Sequence, residues 1–205
     1  MTQDDRLRQS VSRETLERLE VYEALLIKWN AAINLVSPQT LSQVWSRHFL
    51  DSAQIFDLSP PDTRHWADLG SGGGFPGMVV AILAKEHRPD MQVSLVESDQ
   101  RKSAFLGTVA RTLDLSVHIH PKRIEQLAPL QADILSARAL ASLTQLFAFS
   151  ERHLSPDGTA LFSKGIRWRE ELAEAQKTWS FSYDAVPSRT DADAVILKIE
   201  GLKRV

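Results

Sequence analysis

Cysteine is absent from all 205 residues. That one gap excludes disulfides, thiolate metal sites and thiol nucleophiles. The chain also lacks any run near the ~20 apolar residues of a membrane helix, and its polar start, MTQDDRLRQS, holds no apolar leader core. The sequence therefore predicts a cytoplasmic protein with no membrane partner. A surplus of one charge is missing too: the formal net charge of -2 gives no general attraction for a polyanion, although a basic face could still be local. Repeats and low-complexity tracts are likewise absent. What remains is a chain that is 43% hydrophobic, enough to fill a substantial globular core.

From Ser12 to Ile33, Leu16, Leu19, Tyr22, Leu26, Trp29 and Ile33 recur three or four apart, which predicts an amphipathic helix with Ser12 as its N-cap. Helix resumes from Val44 through Ser52. Pro60-Pro61-Asp62 marks the boundary between a helical extension, 1–60, and the rest, 61–205, with the two forming one compact unit. Beyond it, β-like runs at His65–Leu69, Gln92–Glu97, Val117–His120, Asp133–Ala137 and Thr159–Ser163 alternate with helix-like runs at Pro76–Glu86, Gln100–Leu113, Ser142–His153 and Arg167–Trp179. Such alternation predicts an α/β fold, Rossmann-like, with a mostly parallel sheet covered by helices on both faces. Phe181–Val186 and Ala194–Ile199 have no helix between them, so the final strand pair is expected to be antiparallel.

The stretch WADLGSGGGFPG carries five glycines between Gly70 and Gly77, directly after the first β-like run. Glycines there let a ligand approach the backbone. Gly72 to Gly77 fits G-x-G-x-x-G, the dinucleotide pattern, but the strand ends at Leu69 and the pattern starts late. Counted from Gly70, bulky Phe75 falls where a dinucleotide site needs a small residue. Asp68 at the mouth of the strand would repel a pyrophosphate, yet suits an ammonium or sulfonium group. Glu97, closing the second strand, can accept ribose hydroxyls from NAD or S-adenosylmethionine alike. Phe75-Pro76 stands where a Walker loop needs Lys-Ser or Lys-Thr.

The string from Asp68 to Gly77, together with Trp29-Asn30, Asn34-Leu35, Arg47-His48-Phe49-Leu50-Asp51-Ser52 and Ser136-Ala137-Arg138-Ala139, resembles the GidB family. The resemblance spans nearly the whole chain. It implies a methyltransferase fold and S-adenosyl-L-methionine-dependent methylation of guanine N7 in 16S, small-subunit, ribosomal RNA. It places the cofactor on Gly70, Phe75, Ile124, Glu125 and Arg138, to which the loop and strand-end reading adds Asp68, Gly72 and Glu97, and gives His48 a part in closing the N-terminal helices over it. A ribosomal particle is the expected substrate, met by a monomer.

Guanine N7 offers an in-plane lone pair, so no general base is needed. Lys164 and Arg189 are the candidates for positioning the RNA, the first within Lys164-Gly165-Ile166-Arg167-Trp168-Arg169, where Trp168 could stack on a base. Asp191-Ala192-Asp193 takes the place where many relatives carry arginine. His118 and His120 share a strand face without a third ligand, so no metal is expected. Two other readings stand beside this one: an NAD-dependent oxidoreductase, and a non-catalytic S-adenosylmethionine-binding protein of the ribosome.

Overall fold

Alternation of apolar residues along the strands builds a single sheet with two covered faces. In the computed structural model, which describes residues 3–205, these strands are β1 (His65–Leu69), β2 (Gln92–Val96), β3 (Val117–His120), β4 (Ala132–Arg138), β5 (Leu154–Lys164), β6 (Trp179–Pro187) and β7 (Val195–Arg204). Met1 and Thr2 of the expected 1–60 extension lie outside the described residues. The sheet order is β3-β2-β1-β4-β5-β7-β6. Pairs among β1 to β5 are parallel, while β7 runs antiparallel to both β5 and β6. The predicted α/β class and antiparallel end are both present.

Trp66, Val93, Leu95, Ile134, Leu161 and Ile196 face one side of the sheet; Leu69, Val96, Leu135, Ala137, Phe162 and Leu197 face the other. The first side is covered by α1 (Gln3–Ser10), α2 (Arg13–Asn30), α3 (Pro38–Leu41), a π-helical turn (Trp45–Phe49), α4 (Leu50–Asp57), α5 (Gly77–His87) and α6 (Gln100–Thr112). The second packs against α7 (Leu143–His153) and α8 (Trp168–Ala175). The N-terminal helices share one apolar cluster with the sheet, so residues 7–56 are continuous with its core.

Ser12 caps α2, its hydroxyl accepting from the Thr15 N–H. Buried Tyr22, on the inner face of α2, donates to the Gly73 carbonyl and stacks near Phe49, Phe75 and Phe105. After α2, the Asn30 Oδ1 accepts from the N–H groups of Leu35 and Val36 at 2.9 and 3.0 Å. That turn sets Leu35 against Gly73. Strand order reverses between β1 and β4, and open α/β sheets bind ligands at the carboxyl ends beside such a reversal. The glycine loop leaves β1 at that place.

Candidate active site

Gly70 begins the loop at φ +65, and a Cβ there would sit 2.5 Å from a Leu140 methyl, so only glycine fits. The loop's amides then turn inward. Ser71 N–H donates to the Val96 carbonyl, Gly72 N–H to Glu97, Gly74 and Phe75 N–H to the Ser71 carbonyl, and Gly77 N–H to Asp68. A dinucleotide loop presents such donors to pyrophosphate. Here they are spent within the protein, which fits a cofactor without phosphate and leaves an NAD reading without its anchor.

Asp68 differs from its expected role. It is fully buried beneath the loop, outside the cleft lining, with Oδ1 accepting from the Ser136 hydroxyl at 2.8 Å and Oδ2 from Gly77 N–H at 3.2 Å. Its carboxylate braces loop and helix start instead of facing a cationic ligand. The close packing of helix on strand also falls to Gly77, against which a Cβ would meet Asp68 at 2.7 Å. Bulky Phe75 is free to point elsewhere.

Gly70, Gly72, Phe75, Glu97, Ile124, Glu125 and Arg138 line one cleft of about 490 Å³. Glu97 is tied by Oε2 to Gly72 N–H at 2.8 Å and by Oε1 to Asp99 N–H at 2.7 Å. Each carboxylate oxygen keeps a further lone pair, so a ribose diol could be received there. Ile124 and Glu125 form a short 3-10 turn after β3, and the Ile124 carbonyl is bonded to buried His153 Nε2 at 3.0 Å. These residues fit an adenosine whose ribose meets Glu97.

Arg138, at the end of β4, is held from several sides. Its Nη1 lies 3.6 Å from Asp51 Oδ2 and donates to the Arg47 carbonyl, while Nη2 donates to His48 Nδ1 at 2.6 Å. His48 stacks on Phe75 with ring centroids 4.8 Å apart, and the Arg138 guanidinium lies over the same ring. As acceptor from Arg138, His48 must be neutral at Nδ1. Burial, then the charges of Arg138 and Arg47, pull its pKa down to about 3.

A second cleft of about 480 Å³ adjoins the first, sharing Leu35, Arg138 and Ala139. Its far wall includes the loop before β7. Asp51 Oδ1 accepts from the hydroxyls of Ser188 and Thr190, and Arg47 donates to the Thr190 carbonyl and pairs with Asp191 at 3.4 Å.

Of the two substrate-positioning candidates, Lys164 lines the second cleft and Arg189 does not. Lys164 is buried, donating to the Ala141 carbonyl and pairing with Glu171 at 2.7 Å, so its charge is already matched. Arg189 pairs with Asp57 at 3.1 Å and lines a separate pocket beside Phe56 and His87. Trp168 is half-buried against the second core cluster, with Arg169 over its ring. Among the described residues no group of three His, Asp or Glu side chains could hold a metal, His118 and His120 included.

Sequence reasoning missed the cleft residues Lys102, Lys122 and Arg123, as well as Asp51 and Asp191. The Arg47 to Ser52 string was visible, but only the fold shows that Asp51 meets Arg138.

Burial pushes the Asp68 carboxyl up to about 6 from 3.8. Below pH 4 both folded and unfolded forms hold the proton; above pH 6 the folded form keeps a disfavoured charge. Its contribution to stability therefore falls as pH rises between those values, by about 2 to 3 kcal/mol. His48 acts oppositely, losing stability as pH drops below 6.5 and the unfolded chain takes up a proton. The two trends mask each other in the native protein. Asp68→Asn removes only the first, so urea denaturation at pH 4 and 7 should show its stability relative to wild type improving by about 2 kcal/mol toward pH 7. A difference that does not move with pH contradicts this account of Asp68.

A 3-2-1-4-5-7-6 sheet with an inward-turned glycine loop and a ribose-ready acid after β2 defines an S-adenosylmethionine-dependent methyltransferase. The fold is shared with M. jannaschii TYW2 in complex with AdoMet, at TM-score 0.58 and 12% identity over 85% of this chain and 80% of that one. The GidB family profile, rRNA small subunit methyltransferase G, matches residues 15–195. "Ribosomal RNA small subunit methyltransferase G" of Ruegeria pomeroyi is 56% identical over 96% of each chain. That of Paracoccus denitrificans is 52% identical, over 95% of this chain and 98% of its own. The chain belongs to the GidB family, and it methylates small-subunit ribosomal RNA, with N7 of guanine as the family's known acceptor. No helix among the described residues is long and apolar enough to cross a membrane.

Proposed function

We propose that the two clefts hold donor and acceptor side by side, and that this chain methylates guanine N7 by alignment alone. The single observation that carries this is the junction. Leu35, Arg138 and Ala139 are the residues common to both clefts, and none of them accepts a proton. An amine or hydroxyl acceptor must shed a proton, whereas N7 presents its lone pair directly. Bound S-adenosylmethionine supplies a methyl group on a cationic sulfur. The cofactor residues are Gly70, Gly72, Phe75, Glu97, Ile124, Glu125 and Arg138, with Asp68 acting from beneath the loop. Asp51 offsets the charge of Arg138, which lowers repulsion in a reaction whose donor and product are both cations.

RNA is held chiefly at the rim, with Lys164 in the wall of the acceptor cleft and Arg189 outside it. Lys102, Lys122 and Arg123 line the adenosine end of the first cleft, and none has a carboxylate within 4.0 Å among the described residues. The overall charge of -2 makes this a local attraction, suited to a folded particle that also offers shape. Replacing Lys122 and Arg123 together by alanine should lower the slope of log affinity against log salt by ~2 for small-subunit binding. An unchanged slope puts the RNA elsewhere.

The protein acts in the cytoplasm as a monomer on an assembled or assembling subunit. Incubation of methyl-labelled donor with small subunits, and with naked RNA, from a strain without this protein tests the reading. Label in the particle, and less in naked RNA, is expected. Donor binding without label in either supports the non-catalytic alternative.

A further inference from the structure

We infer that Asp191 and Ser163 form the guanine-reading wall of the second cleft, with the Asp191 carboxylate accepting from the N1–H and 2-amino donors of the target base. The inference rests on the reading of that cleft as the acceptor pocket.

Ser163 Oγ is the first observation. It is buried, lines the cleft, and has no hydrogen-bond partner within the protein. A buried hydroxyl without a partner is costly, and because Ser163 itself is partly exposed to the cleft, a turn about its χ1 brings the hydroxyl to a polar base entering there. The second observation concerns the carboxylates. Of the two acids lining the cleft, Asp51 already serves Ser188, Thr190 and Arg138, and its side chain is only 11% exposed. Asp191 is 40% exposed, accepts one backbone N–H from Asp193, and meets Arg47 at 3.4 Å. It therefore keeps open lone pairs facing a neutral ligand.

Guanine carries two adjacent donors, N1–H and the 2-amino group, on the edge away from N7, and one carboxylate can accept both. Adenine presents no such pair, so an acid there selects guanine. With N7 at the junction of the clefts, that donor edge faces away from the cofactor, toward the far wall that Asp191 occupies. Arg47, already bonded to the same loop, steadies the carboxylate.

The test uses small subunits rebuilt with either guanine or inosine at the methylated position; inosine lacks the 2-amino group. Wild type should lose about ten- to a hundredfold in kcat/KM on inosine, as befits a hydrogen bond to a charged group. Asp191→Ala should lose a similar factor on guanine and show no further loss on inosine, with S-adenosylmethionine affinity within twofold of wild type. Ser163→Ala should lower kcat/KM about fivefold without lowering Tm, because its hydroxyl loses no internal partner. If Asp191→Ala keeps the wild-type ratio between guanine and inosine, or wild type does not discriminate, the assignment is overturned. If wild type methylates neither, the acceptor reading itself fails, a result distinct from failure of the assignment.

Discussion

Arg138→Ala should reduce methyl transfer to small subunits by about a hundredfold and destabilise the fold by about 3 kcal/mol. Both effects have one origin. Arg138 ties the end of β4 to the π-helical turn, the start of α4 and the glycine loop, through the Arg47 carbonyl, His48, Asp51 and Phe75. Its side chain is 19% exposed, and that of Asp51 11%. Truncation leaves the Asp51 carboxylate largely buried without its cation, which costs more than the pair contributes. It also frees His48 from Arg138, so Phe75 and the loop lose their fixed placement at the junction of the clefts. A misplacement of about 1 Å between reacting atoms is enough for a hundredfold loss. Urea denaturation and single-turnover transfer check the two parts separately. Arg138→Lys keeps charge without the planar fork, so it should restore stability more than rate. Transfer within fivefold of wild type for Arg138→Ala would remove the residue from the positioning machinery.

Gly77→Ala is the second large effect. The added Cβ would lie 2.7 Å from both the Cβ and Oδ2 of Asp68, and it also overlaps the Leu95 side chain. Leu95 can shift its end, but Asp68 is fixed by Ser136 and by the Gly77 amide itself. The helix start must therefore move away from β1, at about 3 kcal/mol of overpacking. S-adenosylmethionine binding should weaken with it, since the same movement displaces the loop. Gly165→Ala is the matched control: a Cβ there meets nothing within 4 Å, so Tm and cofactor affinity should stay at wild-type values. Equal stabilities for the two variants, by thermal unfolding, would contradict the packing assigned to Gly77.

Much of the fold was legible because strand and helix periods differ. β1 and β3 match their expected spans, and α2 begins directly after its predicted cap Ser12. Strand ends were less legible: β5 starts at Leu154 rather than Thr159, because pairing between Leu154 and Ala132 extends it through Pro156 and Gly158. The cleft residues at strand ends, Gly70, Glu97 and Arg138, could be read because topology fixes those positions before any side chain is placed. Asp68 could be read as important but not as a brace, since only the approach of Gly77 shows where its carboxylate points. Lys164 and Arg189 could be read as cations but not as paired ones. A cation in a string carries no sign of its partner, and Glu171 and Asp57 reach them through the fold. Lys102, Lys122 and Arg123, with no carboxylate within 4.0 Å among the described residues, come from two separate stretches of ordinary-looking sequence, the first turn of α6 and the segment after β3, gathered only by the fold.

The central claim is that this chain places a methyl group on guanine N7 of small-subunit ribosomal RNA. Borohydride reduction followed by aniline cleaves RNA at 7-methylguanosine. Applied to small-subunit RNA from a strain lacking this protein, from its parent, and from the deleted strain after incubation with protein and S-adenosylmethionine, it should give one band missing in the first sample and present in the other two. The same cleavage pattern in the deletion strain and the parent would contradict the claim.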